Sequence, residues 1–358
     1  MINISISTYD VRKGDTLESV AAELGISSEE LKRYHNSYCD LKELIGYDLK
    51  NVRSILIPSA DKIAELKKNK TLVSRNNELP SKYLFENFYA KQYEVKEHFE
   101  KPDAENLIID YTVSVNIREI KGRGFIAEVK SSGFKKNDET PDDKISQLSI
   151  ASMESIYPVS FIIPAQGRIN GFYDHKEIAK KFKDKRPDLE DFFVGEVSQI
   201  YFDKFQNCLK DENFLLNQFR STMMYQVLFL KMDWLHKNKP WEEELYLIQN
   251  SFPVKCLLEA ECDHENSEYI ETTIHGNITD EYCLQELLKG VKFSECNDEP
   301  AVGEINFRYK TNKQTKHLLE AEFDIVLMNE GEIYNTYKLI LIAKKEEKRI
   351  KKFSTLAE

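Results

Sequence analysis

Cysteine, histidine and acidic residues are the side chains best suited to metal binding, and their spacing in this sequence does not favour it. Cys256 and Cys262, with His264 close by, are separated by five residues, which is not the spacing of a zinc knuckle. Both cysteines also fall on the apolar face of a predicted strand, where cysteine commonly packs as a small hydrophobic residue. We therefore expect no metal and no cofactor.

Motifs for catalysis are also missing from the printed sequence. The seven histidines are scattered, and the sequence contains no His-Glu-x-x-His, Gly-x-Ser-x-Gly, phosphate-binding loop or Gly-x-Gly-x-x-Gly. We interpret Asp174-His175 as a helix N-cap followed by a surface imidazole rather than as a catalytic pair. No residue is assigned a catalytic role, and we expect the protein not to be an enzyme.

Residues 1–58 are predicted to form a small unit of strand, helix, helix and strand. Thr16 can cap the first helix, whose apolar residues recur at helical spacing, and Gly25 ends it. A serine at 27 or 28 caps the second helix, which has two glutamates in its first turn. The segment 55–58 is typical of a closing strand that ends at a proline.

This unit resembles a LysM domain. The similarity begins in residues 9–17, which contain the Gly-Asp-Thr-Leu turn. It continues with Ile26 after the first helix, with Asn36 in the second helix and with residues 56–58, which end in Ile-Pro. It covers about a sixth of the chain. The sequence departs from the pattern after Asn36, where the stretch to Pro58 is longer than usual and residues 52–54 stand in place of the usual Gly-Gln.

The resemblance implies binding of peptidoglycan or another N-acetylglucosamine polymer. In LysM domains the polymer lies in a shallow groove between the turn after the first strand and the loop before the last. Here one wall would be formed by Gly14, Asp15, Thr16 and Leu17. The other would be part of Ser37 to Asp48, with Tyr38 or Leu41 covering an N-acetyl methyl group. Structural roles are the alternative: Gly14 for the turn, Thr16 for the cap and Asn36 for a buried hydrogen bond.

Residues 59–106 are interpreted as a polar and aromatic linker. Six tyrosine and phenylalanine side chains lie between Tyr83 and Phe99. We expect these rings to pack on the domain that follows. The alternative is an arm that docks on a partner.

Residues 107–345 are predicted to form one α+β domain with a mainly antiparallel sheet. Apolar and polar residues alternate in segments of 107–172 and 253–343, whereas 174–248 follows helical spacing. Long strands with a helical insertion could curl into an open half-barrel. We interpret residues 346–358 as a solvated basic tail; the alternative is contact with an acidic partner or an anionic membrane surface.

The composition excludes several classes of protein. The 358 residues are 41% hydrophobic and carry a net charge of −11, which favours a globular fold and argues against a dedicated nucleic-acid binder, since such a protein needs a basic face. The apolar runs are shorter than the roughly 18 residues of a transmembrane helix. The N-terminal residues lack the features of a signal peptide, so we expect a cytoplasmic protein with reduced cysteines.

Three functional hypotheses follow. The first is a non-enzymatic protein whose LysM-like module binds peptidoglycan or a related polymer. The second is a structural or adaptor component of a bacterial phage-tail-like injection or type VI secretion apparatus, in which the same module makes protein contacts. The third is an enzyme delivered by such a machine to the cell wall.

Overall fold

The computed structural model describes residues 7–46, 49, 52–64, 77–102, 104–122, 124–294 and 298–345. The chain divides into two units, residues 1–77 and residues 78–358. The predicted basic tail lies outside the described residues.

The N-terminal unit has the predicted order of strand, helix, helix and strand. Its elements are β1 (Ser7–Asp10), α1 (Leu17–Leu24), α2 (Ser28–Tyr38) and β2 (Ser54–Ile57). The two strands pair antiparallel. Val20, Leu31 and Ile55 are buried at the centre of a small core between the helices and the strand pair. Gly25 ends α1 with a left-handed φ of 70°, as its position predicts.

The C-terminal unit is built on one antiparallel sheet of eleven strands. In chain order the strands are β3 (Gln92–Glu100), β4 (Leu107–Ile120), β5 (Gly124–Lys136), β6 (Val159–Ile163), β7 (Gly171–Phe172), β8 (Trp241–Leu245), β9 (Val254–Asp263), β10 (Tyr269–Ile278), β11 (Val302–Asn312), β12 (Leu318–Asn329) and β13 (Glu332–Ala343). Across the sheet the order is β7-β6-β5-β4-β3-β13-β12-β11-β10-β9-β8. The last strand of the described chain therefore pairs with the first strand of this sheet.

The two faces of the sheet differ in polarity because successive side chains of a strand point to opposite sides. Val95 pairs with Leu341 on one side and with Tyr111 on the other, and all three side chains are buried. The opposite face carries ion pairs between neighbouring strands, such as Lys96 with Asp110 at 3.2 Å. One face thus supplies the core and the other faces solvent.

Helices cover the apolar face. They are α3 (Lys144–Ile156), α4 (His175–Phe192), α5 (Glu196–Lys210), α6 (Glu212–Ser221), α7 (Met223–Leu228), a 3₁₀ helix (Met232–His236) and α8 (Leu284–Lys289). The Trp234 ring lies 5.4 Å from that of Phe307, and the hydroxyl of Tyr309 donates to the carbonyl of Val227 at 3.4 Å. Helices and sheet share one core, and the predicted α+β class is confirmed. Within the described residues, no helix combines the length and apolar composition needed to cross a membrane.

Three elements lie where the sequence analysis placed something else. Strand β3 lies inside the predicted linker, helix α3 inside the segment predicted as strands, and strand β8 inside the predicted helical segment. Glu97 occupies an inward position of β3 and breaks the apolar alternation that marks a strand. Strand β8 carries three consecutive glutamates at the edge of the sheet, where charge is favoured, and so lacks a strand-like apolar pattern.

The aromatic residues of the predicted linker are divided between core and surface. Phe88, Tyr89 and Tyr93 are buried in the core of the C-terminal unit, and the Tyr93 hydroxyl donates to the Leu318 carbonyl at 3.1 Å. Tyr83 is 59% exposed. The described part of the predicted linker from residue 78 onward therefore contributes to the C-terminal unit.

Candidate functional site

The turn after β1 is held together by Asp15. Its Oδ2 accepts the backbone N–H of Arg12 at 2.8 Å and the hydroxyl of Tyr9 at 3.0 Å. The hydrogen bond to Asp15 raises the pKa of Tyr9. Gly14 has a φ of +102°, and a Cβ there would meet no atom within 4 Å. The turn therefore exposes the backbone of Gly14, while the Asp15 carboxylate is engaged in maintaining the turn.

Thr16 and Leu17 also have structural duties. The Oγ1 of Thr16 accepts the backbone N–H of Ser19 at 3.1 Å, and the Ser19 hydroxyl oxygen accepts the N–H of Thr16 at 3.0 Å. This reciprocal capping box satisfies two donors that a helix N-terminus leaves unpaired. Leu17 is half-buried against the small core. Of the four predicted residues in this wall, Gly14 and Thr16 are exposed, whereas Asp15 and Leu17 are half-buried.

The second predicted wall carries three exposed apolar side chains. Tyr38 is 48% exposed at the end of α2, and Leu41 is 87% exposed in the loop that follows. The sequence analysis did not single out Leu44, which is 46% exposed in the same loop. The signal for Leu44 in the sequence is its spacing, three residues after Leu41 in the same loop. Residues 47 and 48, at the end of this predicted wall, lie outside the described residues.

Asn36 and His35 fix this loop to α2. The Asn36 carboxamide accepts the backbone N–H of Ile45 at 2.9 Å and donates to its carbonyl at 3.1 Å, so Asn36 has the hydrogen-bonding role predicted for it. Fully buried His35 accepts the Leu56 N–H on Nδ1 at 3.0 Å. Its Nε2 then carries the proton and donates to the Glu43 carbonyl at 2.8 Å. The loop is therefore held at two points, and strand β2 is tied to the same helix.

The cysteines and histidine considered for metal binding have protein partners. Cys262 Sγ lies 3.6 Å from Thr272 Oγ1, and burial raises the pKa of Cys256 to about 12. His264 Nδ1 lies 2.9 Å from Glu78 Oε2. In the part of the chain that the structure describes, no three metal-ligating side chains come together.

The C-terminal unit contains a cavity of about 840 Å³ between the sheet and α3, α5 and α6. Its walls are largely apolar and include Phe99, Ile109, Phe134, Met153, Phe205 and Leu215. Two lining side chains, Ile145 and Phe214, are 73% and 45% exposed. A volume of about 300–1,000 Å³ with mostly apolar walls and few polar groups is typical of small-molecule sites. No residue of this cavity was predicted as a ligand contact.

Glu97 is the carboxyl group in the wall of this cavity. It accepts the hydroxyl of Tyr111 at 2.5 Å and the hydroxyl of Tyr337 at 2.8 Å. Burial raises the pKa of Glu97, although the two tyrosine hydrogen bonds act in the opposite direction. The same carboxyl group and burial raise the pKa of both tyrosines. The cavity therefore combines largely apolar walls with one buried carboxyl group, and its other polar lining residues include Lys135 and Lys136.

Comparison with known proteins supports the assignment of the N-terminal unit. Residues 9–40 match the LysM domain family, which confirms the resemblance predicted from the sequence and indicates carbohydrate binding. No curated protein sequence matches the chain. Among solved structures, the chain is similar to a LolA superfamily protein from Nitrosomonas europaea at 8% identity, over 78% of this chain and 94% of that one. The TM-score of 0.22 is too low to establish a shared fold or function.

Proposed function

We propose that the LysM domain binds an N-acetylglucosamine polymer, with peptidoglycan as the expected ligand. The observation that carries this proposal is the set of exposed apolar side chains at Tyr38, at the end of α2, and at Leu41 and Leu44, on the loop that Asn36 helps to fix. Apolar groups of this kind cover the methyl groups and ring faces of acetylated sugars, whereas the exposed backbone at Gly14 can pair with acetamido groups. A fixed loop loses little conformational entropy when a ligand binds.

Binding to purified sacculi and to chitin oligosaccharides tests this proposal in the full-length chain. The double variant Tyr38→Ala/Leu41→Ala is expected to bind sacculi at least about tenfold more weakly, which corresponds to about 1.4 kcal/mol. Leu288→Ala, at a leucine of the C-terminal unit that is 41% exposed, is the matched control and should bind like the wild type. Equal binding by the double variant and the wild type would overturn the proposal. Chitin binding without sacculus binding would refute peptidoglycan as the ligand.

We further propose that the chain binds the polymer without cleaving it. In the turn, Asp15 and Thr16 are engaged in the hydrogen bonds that hold the turn and cap α1. Incubation of the protein with sacculi should release no soluble muropeptides, as measured by chromatography and mass spectrometry. Release above that of a heat-denatured sample would refute this part of the proposal. The adaptor role in an injection apparatus stays a prediction.

The C-terminal unit is proposed to bind a second ligand, an elongated apolar molecule such as a fatty acyl chain. This rests on the cavity of about 840 Å³, its apolar walls and the exposed Ile145 and Phe214 that line it. A chain-like ligand would bury these two side chains together with its own methylene groups, and burial of apolar area is the main favourable term.

A fluorescent fatty acid probe tests this second proposal. Ser149 lies on α3 in the cavity wall, so Ser149→Trp should weaken probe binding at least about tenfold by filling the space. Glu154→Trp, on the same helix but exposed and outside the wall, is the matched control. No saturable binding to the wild type, or equal binding by both variants, would exclude the acyl ligand.

A further inference from the structure

The turn between β6 and β7 holds an arginine in an unusual backbone conformation. Gly167 has a φ of +91°, and a Cβ there would lie 2.0 Å from the Leu230 carbonyl oxygen. Arg168 follows with a φ of +64°, in the left-handed region that residues other than glycine rarely adopt. Strained positions of this kind persist where the surrounding structure enforces them, and they cluster at functional sites.

The Arg168 side chain extends into the unit without a hydrogen-bond partner. Its guanidinium carbon lies 4.8 Å from the centroid of the Trp234 ring. Nε and Nη2 are shielded from solvent, and neither donates to any group among the described residues. Burial lowers the pKa of Arg168. Buried cations are normally paired, so an unpaired one requires an explanation.

Glu243 is the carboxylate that interacts with Arg168 through space, and both of its oxygens already accept hydrogen bonds from other residues. Glu243 accepts Lys231 Nζ on Oε1 at 2.7 Å and the indole N–H of Trp234 on Oε2 at 3.1 Å. It favours the charged form of Arg168 through space, yet it makes no ion pair with Arg168 within 4.0 Å. The charge of Arg168 is therefore only partly compensated.

Arg168 lines a pocket of about 250 Å³ that holds a second arginine. Arg220 donates from Nε and Nη2 to the backbone carbonyls of Ile169 and Asn170 at 3.1 and 2.6 Å. These neutral partners leave its positive charge in place. With Lys231, the pocket wall carries three cations against two carboxylates, Glu243 and Glu244. The lining therefore carries one more positive than negative charge, and the Nε and Nη2 donors of Arg168 are unused.

The geometry points to an oxyanion site in this pocket, at which Arg168 is the principal ligand and Arg220 adds charge. The chemistry recognised is a carboxylate or a phosphate group of a small ligand, because a planar guanidinium pairs with either through two parallel hydrogen bonds. An oxyanion would supply the missing partner of the buried cation. The positively charged pocket would bind an anionic group, whereas the apolar cavity of about 840 Å³ is proposed to bind an acyl chain.

Thermal unfolding of the full-length protein in phosphate, in acetate and in chloride at equal ionic strength tests the site. At an oxyanion concentration tenfold above Kd, the folded C-terminal unit is favoured about elevenfold, which raises its Tm by about 3 °C. A shift in phosphate alone identifies a phosphate site, a shift in acetate alone a carboxylate site, and a shift in both the shared chemistry. No shift relative to chloride would overturn the proposal.

Two variants separate ligand binding from structural support. Arg168→Met should abolish the oxyanion shift without lowering the Tm in chloride, because it removes an uncompensated buried charge. Arg118→Met is the matched control, since Arg118 also lies over an aromatic ring, 5.5 Å from Tyr173, but is exposed; it should keep the shift. A retained shift in Arg168→Met would assign Arg168 a structural role only.

A conservative substitution covers the case in which Arg168→Met does not fold. Arg168→Lys keeps the charge but loses the planar fork, so it should bind phosphate or acetate about tenfold more weakly by calorimetry. Unchanged affinity in this variant would refute the role of the guanidinium.

Discussion

The Asn36 carboxamide is one of the two groups that hold the loop bearing Leu41 and Leu44, and Asn36→Ala tests its contribution. The substitution removes the two hydrogen bonds of 2.9 and 3.1 Å to Ile45. Each contributes about 1 kcal/mol, and Ile45 is only 2% exposed, so water replaces them poorly. We expect a total loss of about 2–3 kcal/mol.

That loss is large for a domain of this size. At roughly 0.05–0.15 kcal/mol per residue, a unit of about 50 residues has a free energy of unfolding on the order of 5 kcal/mol. The Tm of the N-terminal unit should therefore fall by about 20–30 °C. Sacculus binding should weaken in parallel, because the loop that bears Leu41 and Leu44 loses one of the two points at which it is held to α2.

Circular dichroism melting and hydrogen exchange of the full-length chain can follow the N-terminal unit separately from the larger one. Ser37→Ala is the control, since the Ser37 hydroxyl donates to the Arg33 carbonyl on the exposed side of the same helix and should contribute less than about 0.5 kcal/mol. Asn36→Asp keeps the acceptor for the Ile45 N–H and loses the donor, so it should fall between the two. A loss in Asn36→Ala no greater than that in Ser37→Ala would refute the reasoning.

Three further predictions concern the C-terminal unit. Burial raises the folded-state pKa of Glu97, so its contribution to stability is complete below the unfolded pKa of about 4.3 and is lost as pH rises through the folded pKa. Urea titrations at several pH values should show this decline in the wild type and not in Glu97→Gln. Gly167→Ala should lower the free energy of unfolding by more than about 3 kcal/mol, whereas Gly133→Ala, with a φ of +70° and open space, should cost about 1 kcal/mol. Cys256 should resist alkylation by iodoacetamide at mildly alkaline pH until the protein is unfolded, and rapid labelling of the folded protein would contradict its burial.

The N-terminal unit could be predicted from the sequence because its signals are local. A helix cap at Thr16, a left-handed stop at Gly25 and a serine cap at 27 each depend on a few neighbouring residues. The role of His35 was not predicted, since its two partners, Glu43 and Leu56, lie 8 and 21 residues away in the chain.

In the C-terminal unit, strand β3 was not predicted because a polar residue occupies one of its buried positions. Strand β3 alternates through Tyr93 and Val95, and the pattern then fails at Glu97, which points inward to Tyr111 and Tyr337. A carboxyl group at a core position carries no strand signal, and its two partners come from the strands on either side of β3, of which β13 lies 240 residues further along the chain. The sequence could therefore predict the class of the fold but not the cavity.

Arg168 illustrates the same limit for a charged site. Gly167 and Arg168 both have positive φ values, which place them in the turn between β6 and β7. The contact with Trp234 and the absence of a hydrogen-bond partner among the described residues arise only when the helical segment packs on the sheet.

The position of β13 beside β3 has a consequence for synthesis on the ribosome. Pairing of Tyr93 with Ala343 joins residues 250 positions apart at the middle of the sheet. The LysM domain needs no residue beyond its own closing strand at Ile57 for its strand pair, so it can fold while the rest of the chain is still being made. Strand β3 must wait with one edge unpaired until translation has passed β13. A message truncated before that point would yield a LysM domain joined to a sheet with an open, aggregation-prone edge.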